Sequence, residues 1–248
     1  MAGLRIERDN GVLRVTLARP ERRNAFDAEL IADLHKAFSN VGDARVVVLA
    51  GDGPSFCAGA DVEWQRASID LSFEENVEDA LRLYQMMEAI DSCPAPLVSP
   101  VQGFALGGGS GLVACSDIAI AHPDATFGFT EVRLGIIPAV ISPFVFAKIG
   151  AAAARRFFLT GERFDAATAQ RIGLVQEVTD DLDAAVERFV GEILKSGPGA
   201  TRAAKRLART HPLDAEGLAR TAAGMRSGDE GQEGLRAFLD KRNPRWIL

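Results

Sequence analysis

Apolar and polar positions first alternate along this chain and then change period. In Leu4-Arg5-Ile6-Glu7-Arg8, and again where Leu13, Val15 and Leu17 alternate with polar neighbours, every second residue is apolar, and Asp9-Asn10-Gly11 lies between the two runs. That pattern predicts a β-hairpin, which Pro20 ends. From Asp27, a helix N-cap residue type, the spacing Leu30, Leu34, Ala37, Phe38, Val41 predicts an amphipathic helix. The unbroken run Val46-Val47-Val48-Leu49-Ala50 then predicts a strand buried on both faces, as in a sheet covered by helices.

The alternation continues. A loop of small residues, 51–61, precedes a helix over 73–91 whose apolar positions Phe73, Val77, Leu81, Tyr84 and Met87 are expected on one face, ended by Pro94 and Pro96. Residues 97–106 read as one strand running into Gly107-Gly108-Gly109, followed by a short helix and a strand over 117–121. Two helices are expected over 139–150 and 151–161, the second capped by Gly161; Asp165 opens a short helix, 175–179 form a last strand, and everything after Asp180 reads as helix. Strands dominate first and helices later, so the fold class is α/β. No Ser/Gly-rich linker divides the chain, and no sequence repeat recurs at a fixed period.

Composition narrows the possibilities. The 248 residues, 47% hydrophobic and 25% charged, suffice for a full core in one or two domains. A formal charge of −6 opposes non-specific nucleic-acid binding. Neither a signal-peptide pattern nor an apolar run of membrane-spanning length is present, so a cytoplasmic protein with no membrane partner is expected. The three cysteines, Cys57, Cys93 and Cys115, form no Cys-x-x-Cys pair, which argues for reduced thiols and against a disulfide framework or a metal site.

The glycine cluster admits several chemistries. A serine nucleophile elbow requires Gly-x-Ser-x-Gly, but Gly108-Gly109-Ser110-Gly111-Leu112 lacks the last glycine. Residues 109–114 fit Gly-x-Gly-x-x-Ala, yet the next strand starts too soon for a dinucleotide-binding crossover helix. No lysine lies between Lys36 and Lys148, which removes a phosphate loop. What remains is a strand-to-helix turn whose N–H groups point at a ligand oxygen, with Cys57-Ala58-Gly59-Ala60-Asp61 supplying a second donor; simple tight packing is the alternative. His35, His122 and His211 show no ligand spacing and read as surface or satisfied residues. Glu131 lies in a mostly apolar segment, where desolvation would raise its pKa toward that of a working base; a salt bridge to Arg133 is the alternative.

Taken together, RPERRNAF at 19–26, FCAGADV at 56–62, VQGFALGGGSGL at 101–112, FGFTEVRLGIIP at 127–138 and EGLRAFLDKRNPRW at 233–246 resemble the crotonase, or enoyl-CoA hydratase/isomerase, superfamily. The resemblance implies a spiral of repeated β-β-α units over residues 1–195 and a helical C-terminal region over 196–248, assembled as a homotrimer or a dimer of trimers. It implies an acyl-CoA substrate and no other cofactor. The N–H groups of Ala60 and Gly108 would form an oxyanion hole for the thioester carbonyl, and Glu131 would be the catalytic carboxylate. Arg22, the loop from Ala58 to Asp61, and Phe238 and Lys241, often from a neighbouring subunit, would meet the CoA.

One position departs from the pattern. Typical hydratases carry a second glutamate in the glycine turn, where this chain has Gly111. A single carboxylate resembles the isomerases. The run from Glu131 to Val145 and the segment 155–166 resemble instead the methylglutaconyl-CoA hydratase-like branch of bacterial leucine and terpenoid breakdown. On that resemblance the expected activity is hydration of a branched enoyl-CoA; isomerisation and non-catalytic acyl-CoA binding are the alternatives. Gly111 is expected to open space for the branch, with Ser110 helping to place water.

Overall fold

The computed structural model describes residues 3–209 and 214–247, so His211 lies outside the described residues. β1 (Leu4–Asp9) and β2 (Val12–Leu17) pair antiparallel around Asn10 and Gly11, which both take the positive φ of a two-residue hairpin loop. α1 (Ala28–Ser39) begins where the Asp27 side chain accepts from the Leu30 N–H, and it buries Leu30, Ile31, Leu34 and Phe38. β3 (Val46–Gly51) lies parallel to β2. Its side chains divide between two cores: Val47 and Leu49 enter the main one, while Val46 and Val48 pack with Ala185, Val186 and Val190 on the other face. That division explains the unbroken apolar run.

From β3 onward one course recurs: a strand joins a large sheet, a short extended stretch joins a small one, and a helix leads back. After β3, Cys57 bridges to the small sheet ahead of α2 (Val62–Ala67) and α3 (Phe73–Asp91). β4 (Leu97–Val101) is followed by β5 (Phe104–Leu106) and α4 (Gly108–Cys115); β6 (Ile118–Ala121) is followed by β7 (Thr126–Gly128) and α5 (Ser142–Thr160). β8 (Arg163–Asp165), α6 (Ala166–Arg171) and β9 (Glu177–Val178) complete a six-stranded sheet, β1-β2-β3-β4-β6-β9, and a three-stranded one, β5-β7-β8. This is a spiral of β-β-α units. α7 (Leu182–Lys195), α8 (Pro198–Arg209), α9 (Ala215–Ser227) and α10 (Asp229–Leu239) follow, with no further strand among the described residues.

Several elements differ from the sequence expectation. Residues 97–106 are two strands in different sheets, because Gly103 turns the chain at φ +57. The three-residue strands β7 and β8 escape a periodicity reading altogether. In α3 the expected stripe holds in its second half, where Met87 is buried and Tyr84 packs against the core, whereas Phe73, Val77 and Leu81 are exposed and Met86 and Ile90 are buried with Met87 instead. α5 is broken at Gly150 (φ 73°, ψ 159°), in keeping with the two expected helices, and Gly161 caps it in the left-handed conformation.

A buried asparagine ties the early loops together. The Asn24 amide donates to the carbonyls of Asp52 (2.9 Å) and Ser55 (2.8 Å), and its oxygen accepts from the Arg19 N–H (2.9 Å). Asn24→Ala would strand those buried groups, each costing about 1–3 kcal/mol. Urea unfolding of this variant is therefore expected to show a loss of roughly 2–4 kcal/mol; a loss under about 1 kcal/mol would mean that water or rearrangement satisfies them.

Candidate active site

Residues 57–61 are held from both sides. The Cys57 N–H donates to the Phe104 carbonyl and the Leu106 N–H donates to that of Cys57, while the Phe26 N–H donates to Gly59 and the Asp61 N–H donates to Phe26. Between these bonds the Ala60 N–H has no acceptor among the described residues. At Gly107 the backbone takes φ 50°, ψ −120°, a combination open to glycine, and this turns β5 directly into α4. The N–H of Gly108, first in that helix, is also without an acceptor among the described residues, as a helix start leaves it. A Cβ placed on Gly59 would lie 3.7 Å from the Gly108 nitrogen, so the two turns adjoin.

Glu131 opens a short 3-10 turn, Glu131–Leu134, beside them. Its Oε1 would lie 3.1 Å from a Cβ on Gly107. Its Oε2 is buried without a hydrogen-bond partner, and among the described residues no ion pair joins it to Arg133. Burial pushes its carboxyl above the ordinary value, opposed only in part by a backbone N–H. Glu131 is thus a desolvated carboxylate facing an open space, not half of a salt bridge.

That space is a cavity of about 320 Å³ bordered by Ala58–Ala60, Gly107, Gly108 and Glu131. Trp64 of α2, Asp79 and Leu83 of α3, and the apolar segment from Ile136 to Ile141 complete its walls. Two adjoining backbone donors stabilise an oxyanion, and a carboxylate of raised pKa beside them moves a proton to or from the atoms next to it.

The structure corrects the reading of the glycine turn. Gly111 opens no space, since a Cβ there would lie 2.7 Å from Ile141 Cγ2 and 3.2 Å from Met87 Cε. Both neighbours are buried core residues, so the missing side chain serves close packing of α4. Nor is Ser110 available to water: its buried hydroxyl donates to the Ala105 carbonyl (2.6 Å) and accepts from the Gly128 N–H (3.3 Å).

Asp61 is likewise committed within the protein. Its carboxylate caps α2 by accepting from the N–H groups of Glu63 and Trp64, and it accepts from Arg22 at 3.1 Å. Burial alone would push this carboxyl up, but those hydrogen bonds outweigh it and hold it below its ordinary value. The Arg22 side chain is half exposed at the outer edge of this pair. Phe238 is 81% exposed at the end of α10, and neither it nor Lys241 lines the cavity formed by this chain. Cys57, Cys93 and Cys115 are free and buried, and burial pushes the Cys57 thiol up to about 12.

Sequence reasoning overlooked Asp79, Ile141 and Trp64. Asp79, Leu83 and Met87 do stand at i, i+4, i+8, so an acidic residue on the inward stripe of α3 was a visible signal. Nothing comparable marks Ile141, which reaches Gly111 only through tertiary packing.

Comparison with known proteins agrees with this geometry. A family model described as enoyl-CoA hydratase/isomerase matches residues 7–247. A putative enoyl-CoA hydratase of Thermus thermophilus is 34% identical, over 94% of this chain and 96% of its own. A cyclohexa-1,5-dienecarbonyl-CoA hydratase of Thauera aromatica is 32% identical over 97% of this chain and 95% of its own. The crystal structure of a putative enoyl-CoA hydratase/isomerase (crotonase) from Legionella pneumophila superposes with a TM-score of 0.92 at 40% identity, covering 99% of each chain. The matched span contains the whole β-β-α spiral, both turns that leave N–H groups free, and Glu131, and so the chain belongs to the enoyl-CoA hydratase/isomerase family.

Proposed function

We propose that this protein hydrates α,β-unsaturated acyl-CoA thioesters with Glu131 as the acid–base carboxylate at the reacting carbons. The observation that carries this reading is the unpartnered Glu131 Oε2 next to two backbone N–H groups without acceptors. In the proposed reaction the thioester oxygen accepts from the N–H groups of Ala60 and Gly108, which draws electron density from the double bond and makes the β-carbon electrophilic. Glu131 takes a proton from water as the oxygen bonds to the β-carbon. The resulting enolate is held by the same two donors, and Glu131 returns the proton to the α-carbon, so one water adds across the double bond. This chemistry asks for no bound cofactor. The hydratase names of the Thermus and Thauera relatives point the same way. A branched substrate draws no support from Gly111, whose expected free volume Ile141 fills.

The CoA portion is assigned to the outer edge of the loop bearing Ala58 and Ala60, near the half-exposed Arg22. In a homotrimer or dimer of trimers, Phe238 and Lys241 of a neighbouring copy would approach it. Light scattering is expected to give at least a trimer at micromolar protein; a monomer would remove the neighbour's contribution.

Glu131→Gln is expected to lower kcat by about 10²–10⁴ while CoA-ester affinity stays nearly constant, because the base acts in the transition state. With burial raising its pKa, the wild-type rate should fall with decreasing pH at a point above the ordinary glutamate value of about 4.3. The stability sign is opposite: a carboxyl raised by folding destabilises the fold as pH rises past its unfolded pKa, so the glutamine variant should melt higher than wild type at neutral pH. Mass spectrometry of product formed in ¹⁸O-water tests the reaction itself. Incorporation of one ¹⁸O is expected; conversion of β,γ- to α,β-enoyl-CoA without it would establish an isomerase, and binding without turnover a non-catalytic protein.

Gly111→Glu is expected to add no second base. Its Cβ alone collides with Ile141, and overpacking of this kind costs about 1–3 kcal/mol, readable as a lower urea midpoint with no gain in hydration rate.

A further inference from the structure

Among the described residues, Asp79 and Glu131 are the ionisable side chains that line the cavity. They play different parts. Glu131 lies beside Gly107 at the end that holds the two free N–H groups. The α3 wall is anchored at that same end by Met87, whose Cε would lie 3.8 Å from a Cβ on Gly108. Counting back along α3, Leu83 is one turn and Asp79 two turns further on, roughly 12 Å at 1.5 Å per residue. Asp79 therefore faces the part of the cavity beyond the reacting carbons, where an acyl tail longer than crotonyl would extend.

Its surroundings define what it selects. The Asp79 side chain is only 14% exposed, and its partner Arg82, at 3.3 Å, is shared with Glu78 at 3.9 Å. Two carboxylates against one guanidinium leave this end of the wall negative. The amide of neighbouring Asn76 is spent on the carbonyls of Ser68, Leu71 and Ser72, so it offers no donor to a ligand anion. Across the cavity Leu134, Ile136 and Ile137 are apolar. A tail ending in a hydroxyl would donate to Asp79, whereas a tail ending in a carboxylate would meet like charge without a free cation.

We propose that Asp79 is a specificity-determining residue that admits neutral, hydrogen-bond-donating acyl tails and rejects dicarboxylic acyl-CoA esters. This rests on the acyl-CoA reading of the cavity but not on the reaction, so it is tested by binding. Calorimetric titration of wild type and Asp79→Asn with saturated ω-hydroxy- and ω-carboxy-octanoyl-CoA is the measurement, with crotonyl-CoA hydration assayed in parallel. Wild type is expected to bind the hydroxy ester at least about tenfold more tightly. The variant should shrink that ratio to about threefold or less, chiefly by gaining affinity for the carboxy ester. Equal affinities in wild type, or a ratio unchanged in the variant, would overturn the proposal. So would loss of crotonyl-CoA turnover by about a hundredfold in a variant that melts like wild type, since Asp79 would then act at the reacting carbons. Absence of hydration in wild type with the binding preference intact would count against the hydratase reading alone.

Discussion

The geometry of the site hangs on the hydrogen bonds that grip residues 57–61 between Phe26 on one side and β5 on the other. An isolated loop this rich in small residues would satisfy its own N–H groups by turning or by facing water. Here Gly59 and Asp61 are each bonded to Phe26 and Cys57 to β5, so the strand-like course is enforced and the Ala60 N–H between them is left pointing at no acceptor among the described residues. Phe26 is itself held in place because Asn24, two residues earlier, ties its loop to the carbonyls of Asp52 and Ser55. The free donor at Ala60 is thus a product of bonds made on either side of it, and those bonds join residues 57–61 to Phe26 and to β5.

The same frame tolerates a second unsatisfied group. Asp61 and Glu131 are both acidic residues near the cavity, yet burial acts on them in opposite contexts. Asp61 accepts from Arg22 and from two helix N–H groups, which keeps it ionised and makes it part of the scaffold. Glu131 has an oxygen with no partner, and burial raises its pKa. A buried carboxylate without a partner weakens a fold, and proteins keep such groups where reactivity requires them. Their hydrogen-bond partners, more than their positions in the chain, distinguish a carboxylate built into the scaffold from one with an oxygen left open.

Packing also limits which chemistry the cavity offers. Ile141 and Met87 occupy the space that a glycine at position 111 leaves, so the wall there is closed and apolar. The other acidic group in the cavity comes from α3, away from the two free N–H groups. In the proposed reading, reaction and selection fall to separate walls: the turns at Ala60 and Gly108 with Glu131 would hold the thioester end, and the α3 stripe with the 134–141 segment would line the tail. A spiral fold suits this division, because each β-β-α course delivers one new edge to the same cavity.

The amino-acid sequence by itself determined the elements whose signals are local. The Asn10-Gly11 hairpin, the Asp27 cap of α1, the doubly buried β3 and the Gly161 helix stop each depend on residues within a few positions, where turn, capping and periodicity chemistry act. The glycine turn and the desolvated setting of Glu131 were legible for the same reason. Tertiary structure alone decided the rest: that 97–106 splits between two sheets, that Met86 and Ile90 join Met87 in the core while Phe73, Val77 and Leu81 stay exposed, and that Ile141 fills the space at Gly111. The β-β-α recurrence left no repeat in the sequence because its courses share strand pairing, not residues or loop lengths. Each of these outcomes joins residues tens of positions apart through packing, and an apolar pattern records that a side chain is buried without recording against what.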